Sequence, residues 1–397
     1  LMKLGVLMRF VSSSVRTGFV NALAILIFAA QLPHLHGASA ATWGALALGL
    51  ALIYGLPWLG QRLAWPALSV IPSPLICVVV LTVLASALGL KLPTVGDLGQ
   101  LPDALPVFAL PQVPVSLDTL RIILLPALAI AMVGLLESVL TAAVVDELTD
   151  TPSDKNRECA GLGVANIAAS LFGGIAGCGM IGQAVGNVKY GGRGRLSTLF
   201  AGVFLLILMV ALKDWVSQVP VIALVAIMVM VSAETFDWKS LGALVRHPRL
   251  SSAAMLATVA VTIATHNLAA GVAVGVVLSG VFFAFKVSHM LDVRVHDDAQ
   301  TGQRTWQVSG QVFFASADAF IEAFDVLGAE GRAVVIDVTH AHFWDITAVA
   351  ALDKVVERLR HHGCTVQVLG LNAASAVLID RLGSDAAPLS ANGGAGG

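Results

Sequence analysis

A succession of long apolar runs limits what this chain can fold into. They fall near residues 10–32, 40–56, 67–90, 122–145, 160–176, 177–188, 196–212, 219–233, 251–265 and 268–285. Most of them approach the roughly 20 residues that a helix, rising about 1.5 Å per residue, needs to cross a hydrocarbon core. In lipid a backbone must satisfy its own hydrogen bonds, and segments of this length do so as helices. With 57% hydrophobic residues, 12% charged residues and a mean hydropathy of +0.85, a water-soluble globule would be left with a large exposed apolar surface. The expectation is a polytopic α-helical membrane protein, with its transmembrane domain over residues 1–290.

Charge gives the orientation. With the N-terminus in the cytoplasm and sides alternating at each segment, the inner connections receive Lys3, Arg9, Arg62, Lys155, Arg157, Lys189, Arg193, Arg195, Lys239, Arg246, Arg249, Lys286 and Arg294. The outer connections receive Lys91, Arg121 and Lys213. This is the asymmetry expected of an inner-membrane protein, and Lys189, Arg193 and Arg195 read as cytoplasmic anchors. The Pro-rich stretch 91–118 becomes an external loop. The chain opens on Leu1 with no small-residue cleavage site after its first apolar block, which reads as an N-terminal truncation rather than a signal peptide.

Past residue 290 the pattern changes. A linker is expected over 291–305, a soluble domain over 306–385 and a disordered tail over 386–397. Within the domain, strands (TWQVSGQVFFAS, RAVVIDVTH, CTVQVLG) alternate with helices (ADAFIEAFDVLG, ITAVAALDKVVERLRHHG, NAASAVLIDRLG), the pattern of a small α/β fold on a mostly parallel sheet. The orientation puts it in the cytoplasm.

Several functions are excluded. The net charge of -2, with no basic stripe, argues against nucleic acid. Cys77, Cys159, Cys178 and Cys364 have no metal-site or disulfide-framework spacing, so no metal and no cofactor is called for. No catalytic Ser/His/Asp or Cys/His set falls at membrane depth and there is no P-loop, so neither an enzyme nor an ATP-driven pump is expected.

Two places carry chemistry. Glu137 is the lone charged residue between Arg121 and Asp146. An ionisable group at that depth is costly and should face a partner or a watery cavity. Thr141, four residues on, shares its helix face. Together they are candidates for holding a proton or a coupling cation; the alternative is a structural carboxylate bonded to a neighbouring helix. The second place is the short, glycine-dense segment around GCGMIGQAVGNV. A half helix beginning at the midplane would point free N–H groups and its positive dipole end into the protein, an anion site without a charged side chain. Gly179, Met180, Ile181, Gly182, Gln183 and Ala184 are the candidate substrate-binding residues. The alternative is a crossing where small residues let two helices pack closely.

The run GLLESVLTAAVVDELTDTPSDKNRECAGLGVANIAASLFGGIAGCGMIGQAVGNVKYGGRGRLS resembles the centre of the SulP anion transporters (sulfate permeases), and VPVIALVAIMVMVSAETFDWKSL resembles the segment that follows it. VVIDVTHAHFWDITAVAAL is similar to the core of a STAS domain. The resemblance implies two inverted repeats of seven segments, of which this chain lacks the first four and the opposing half helix. It also implies secondary transport of sulfate, bicarbonate or a dicarboxylate, by proton- or sodium-coupled symport or by exchange, in a homodimer. It places Glu137 and Thr141 at a coupling-ion or proton site and Gly179 to Ala184 at the substrate. Many members have Ser-Arg where this chain has Gly182 and Gln183, which leaves preference for a divalent anion open. Asp345 and Thr347 lie where related soluble domains carry a phosphorylated serine; the alternative is an ordinary helix cap. Two other functional readings stand beside transport. One is a passive anion channel; the other is a non-transporting fragment that acts by binding a cytoplasmic partner through its soluble domain.

Overall fold

The computed structural model describes residues 11–63, 72–102, 104–110, 112–246, 249–298 and 302–371, together with Ser375. The beginning of the third expected segment, the expected last helix (372–383) and the tail lie outside these residues, Ser375 excepted. The chain divides into two compact units, Leu1–Val277 and Leu278–Gly397.

The first unit is helical. In chain order it contains α1 (Ser13–Ala29), α2 (Leu32–Leu35), α3 (Ala40–Leu63), α4 (Ser73–Ala87), α5 (Val95–Leu98), α6 (Leu117–Thr149), α7 (Lys155–Leu171), α8 (Ile181–Lys189), α9 (Arg195–Val210), α10 (Lys213–Ser217), α11 (Val221–Thr235), α12 (Trp238–Arg246) and α13 (Arg249–Thr265). It also contains the start of α14 (Leu268–Ser288). Each expected apolar segment overlaps one of the longer helices or α8, with ends that differ by a few residues. Four stretches, Ser13–Leu35, Ala40–Gly60, Leu117–Thr149 and Leu268–Ser288, are long and apolar enough to cross a membrane. The ends are set locally. Ser116 caps α6 by accepting from the Thr119 N–H, and Asp154 caps α7 by accepting from the N–H groups of Asn156 and Arg157. Asp150 ends α6 in the left-handed region at φ 50°.

Close packing by small residues does occur here, though away from the glycine-dense segment. A methyl group added at Gly18 of α1 would lie 2.8 Å from the Met255 carbonyl of α13, and one at Gly271 or Gly275 of α14 would overlap the hydroxyl of Thr262 or Thr258. Both threonines are buried, and each hydroxyl donates to a carbonyl of its own helix, at 2.9 Å to Ala254 and 2.8 Å to Thr258. Nothing stands within 4 Å of a methyl placed at Gly177, and at Gly182 only the Met180 terminal methyl does, at 3.9 Å. Gly177 and Gly182 therefore do not admit a neighbouring helix, whereas a methyl at Gly179 would come within 3.6–3.9 Å of Ser138 on α6.

The second unit holds a four-stranded sheet in the order β1-β2-β3-β4, formed by Asp292–Asp297, Arg304–Val312, Ala333–Phe343 and Thr365–Leu369. β2, β3 and β4 run parallel and β1 pairs antiparallel with β2. The stretch 291–305, expected to be a linker, is thus corrected: it supplies an edge strand. Leu291, Val293 and Val295 alternate with polar residues, and Leu291 and Val293 pack against the core, but the run is short and most of its positions are exposed, so it reads easily as a linker. α15 (Ala317–Glu322) and α16 (Ile346–His361) complete the core, in which Trp306, Phe320, Ile336, Leu352 and Leu359 are fully covered.

Asp345 is the cap of α16: one carboxylate oxygen accepts from the Ala348 N–H and the other from the Phe314 N–H, both at 2.9 Å. Asp345→Ala removes both bonds at once. It is expected to cost roughly 1–2 kcal/mol of local stability, seen as faster amide exchange at Phe314 and the first turn of α16 in the intact protein; unchanged exchange at both places would show that the cap is dispensable.

Candidate functional site

After α7 ends at Leu171 the chain runs without helix through residues 172–180 and then enters α8. The interruption begins with Gly173 at φ 75°, a conformation glycine adopts without strain. Two helices hold the unwound strand. From α7, the Asn166 amide brackets one residue, accepting from the Gly177 N–H at 2.8 Å and donating to the Gly177 carbonyl at 3.0 Å. From α6, Ser138 accepts from the Gly179 N–H at 2.9 Å, and Thr141 donates to the Gly179 carbonyl at 2.7 Å. Between these clamps the Cys178 thiol donates to the Glu137 carboxylate at 2.9 Å.

This arrangement answers a backbone problem. A non-helical stretch at membrane depth has free N–H and C=O groups that must be satisfied by protein or by a water-lined cavity. Asn166, Ser138 and Thr141 satisfy those of Gly177 and Gly179, which fixes where α8 starts. Asn166→Ala would strip Gly177 of the side-chain bonds to both its N–H and its carbonyl. It should lower stability by roughly 1–3 kcal/mol and slow uptake, read as a lower unfolding midpoint in detergent and a reduced rate in vesicles; wild-type values for both would remove Asn166 from the site.

α8 is oriented by its two faces. Ile181 packs with the apolar cluster of Val15, Phe19, Leu136, Leu140 and Val272, while Met180, Gln183, Ala184, Asn187 and Val188, at helical spacing, line a cavity of about 810 Å3. The Ala184 N–H already bonds to the Met180 carbonyl, and Met180 offers no capping side chain. The N–H groups of Ile181, Gly182 and Gln183 are therefore left for a ligand. A second cavity, of about 890 Å3, is lined by α6, α7, residues 176–178 and the turn at 265–268; both cavities reach Cys178.

The expected residues are brought together, with changes of role. Glu137 and Thr141 share the α6 face that holds the unwound strand. Glu137 is buried, at 7% exposure, and accepts from the Cys178 thiol of the unwound strand rather than pairing with a charge. Thr141 spends its hydroxyl proton on a backbone carbonyl. Of the six expected substrate residues, Gly179, Met180, Gln183 and Ala184 line the first cavity. Ile181 and Gly182 do not; their side-chain directions belong to other faces of α8, and their contribution is the backbone N–H. Asp345 is occupied as a cap, and Thr347 is exposed in the first turn of the same helix.

Sequence reasoning missed Ser138, Asn166 and Cys178, and took Arg193 and Arg195 as anchors only, whereas both arginines line the cavity. Ser138 carried a usable signal, since it lies next to Glu137 on the helix that bears Thr141. Asn166 and Cys178 carried none, because nothing in the sequence says which peptide group a lone amide meets or which carboxylate a lone thiol meets.

Comparison with known proteins gives a consistent picture. The sulfate permease family matches residues 36–258 and the STAS domain matches residues 291–389. The Bacillus subtilis (strain 168) protein YbaR, provisionally named a sulfate transporter, is 47% identical over 380 residues, covering 96% of this chain and 77% of that protein. The bicarbonate transporter BicA of Synechocystis is 25% identical over 418 residues, covering 96% of this chain and 73% of that protein. The chain thus spans about three quarters of the length of these relatives. Among solved structures, the murine solute carrier 26 family member A9 anion transporter in its inward-facing state superposes with a TM-score of 0.77, at 17% identity, over 93% of this chain and 66% of that one. That likeness is one of fold.

Proposed function

Because the chain belongs to the sulfate permease family, a family of anion transporters, we propose that it carries a small oxyanion, sulfate, bicarbonate or a dicarboxylate, across a bacterial inner membrane as a secondary transporter. The observation that carries this reading is the uncapped start of α8, held open on a cavity by an unwound strand that α6 and α7 clamp. Free N–H groups and the positive end of a helix dipole stabilise an anion there without burying a cation.

Coupling to a proton or sodium ion is assigned to Glu137. Its carboxylate meets the loop that bears the anion site through the Cys178 thiol, and Thr141 meets the same loop through the Gly179 carbonyl. A charge change at Glu137 would therefore be felt directly where the anion binds. The soluble domain is assigned to the cytoplasm, where it can engage a partner protein, and the working assembly is taken as a homodimer. Thr347, exposed at a helix start, is kept as a candidate for phosphorylation.

The test is uptake of labelled sulfate, bicarbonate and succinate by the reconstituted protein, with and without proton and sodium gradients. Accumulation of one of these anions, driven by a gradient or by a counter-anion, is expected. Uptake of none under any gradient would overturn the reading.

A further inference from the structure

The cavity at α8 is lined by charge of one sign. Its walls carry Arg193 and Arg195 and no aspartate or glutamate. The tight turn after α8 puts the arginines there. Gly191 takes φ 91°, which suits glycine, and the Gly192 N–H donates to the Asn187 carbonyl at 2.8 Å. A methyl group at Gly192 would overlap the Asn187 amide, which the Ser197 hydroxyl holds from the other side at 2.6 Å. Through this turn Arg193, Gly194 and Arg195 line the same cavity as Gln183 and Asn187. Both guanidinium groups belong to exposed residues, and among the described residues neither enters an ion pair. Lys189, one turn earlier, is also exposed but does not line the cavity.

We propose that Arg193 and Arg195 recruit and select the transported anion: they draw an oxyanion into the cavity and hand it to the first turn of α8. This rests on the reading of α8 as the anion site. Two unpaired cations in an acid-free concave wall raise the local concentration of anions and speed their arrival. The guanidinium fork matches the paired oxygens of a sulfate or carboxylate, which a monatomic halide lacks. The pair supplies positive charge on the cavity wall that α8 does not, since Gln183 is neutral and Lys189 does not line the cavity. The substrate class is thereby an oxyanion, with chloride disfavoured.

The experiment is initial-rate uptake of labelled sulfate by the intact protein in inside-out vesicles, which turn the cytoplasmic face bearing Arg193 and Arg195 toward the added anion, at two ionic strengths, with chloride as competitor. Arg193→Gln/Arg195→Gln is expected to raise KM roughly tenfold with kcat within about twofold, to flatten the dependence on ionic strength, and to let chloride compete better. Lys189→Gln should leave all three unchanged. Arg193→Lys/Arg195→Lys should restore the ionic-strength dependence but not the discrimination against chloride. An unchanged KM and salt dependence in the glutamine pair would overturn the proposal while leaving the α8 site intact. An equal effect from Lys189→Gln would also overturn it, by reducing the arginines to general surface charge. Absence of uptake by the wild-type protein would instead strike at the underlying reading.

Discussion

Gln183→Glu should reduce sulfate uptake at neutral pH by about a hundredfold or more. Gln183 is the third residue of α8 and lines the cavity. Glutamate has the same shape, and a negative charge in the first turn of a helix stabilises it, so the fold should not suffer. The anion, however, would meet a like charge in a partly enclosed space. At about 4 Å and an effective dielectric constant near 20, that repulsion is on the order of 4 kcal/mol, ample for a hundredfold loss. The sign of the pH dependence follows. The new carboxylate is charged above the ordinary glutamate range near pH 4.3 and neutral below it, so uptake should recover as pH falls through that range. Sulfate keeps its double charge there and is the right probe. Uptake at pH 7 within twofold of wild type would mean that the anion does not sit at the start of α8.

Glu137→Gln separates coupling from binding. The amide oxygen of glutamine can still accept from the Cys178 thiol, so the unwound strand keeps its support while the charge is lost. Uptake should no longer be accelerated by an inward proton or sodium gradient, a loss of the whole gradient-driven part, while exchange of external for internal anion continues at a measurable rate. Cys178→Ala provides the complement: it removes the contact and keeps the charge, and should weaken anion binding without abolishing the response to the gradient. If Glu137→Gln retains full gradient dependence, the carboxylate is a structural support for the loop and the coupling ion binds elsewhere.

The family and the order of the helices could be read from the sequence because lipid imposes a simple rule. A backbone that crosses hydrocarbon must pair its own polar groups, so length and apolar content announce each helix, and charge in the connections announces its direction. The soluble domain was equally legible from β2 onward, where buried strands such as Ala333–Phe343 alternate with the amphipathic α16. β1 was overlooked although Leu291, Val293 and Val295 alternate with polar residues, because that run is short and mostly exposed. The isolation of Glu137 and the glycine-dense start of α8 also stood out, each being costly in a membrane unless something offsets it.

What the sequence by itself determined was therefore the solvent, the long apolar helices, the family and the region proposed as the site. Tertiary structure alone decided how that site is built. Which residue Asn166 clamps, that Thr141 gives its proton to the Gly179 carbonyl, and that Arg193 and Arg195 share a cavity wall with Gln183 are relations between residues 10 to 38 positions apart in the chain. Hydrophobic period and charge bias act along a single helix, whereas a hydrogen bond across an unwound strand depends on where two helices and a turn meet, and only packing fixes that.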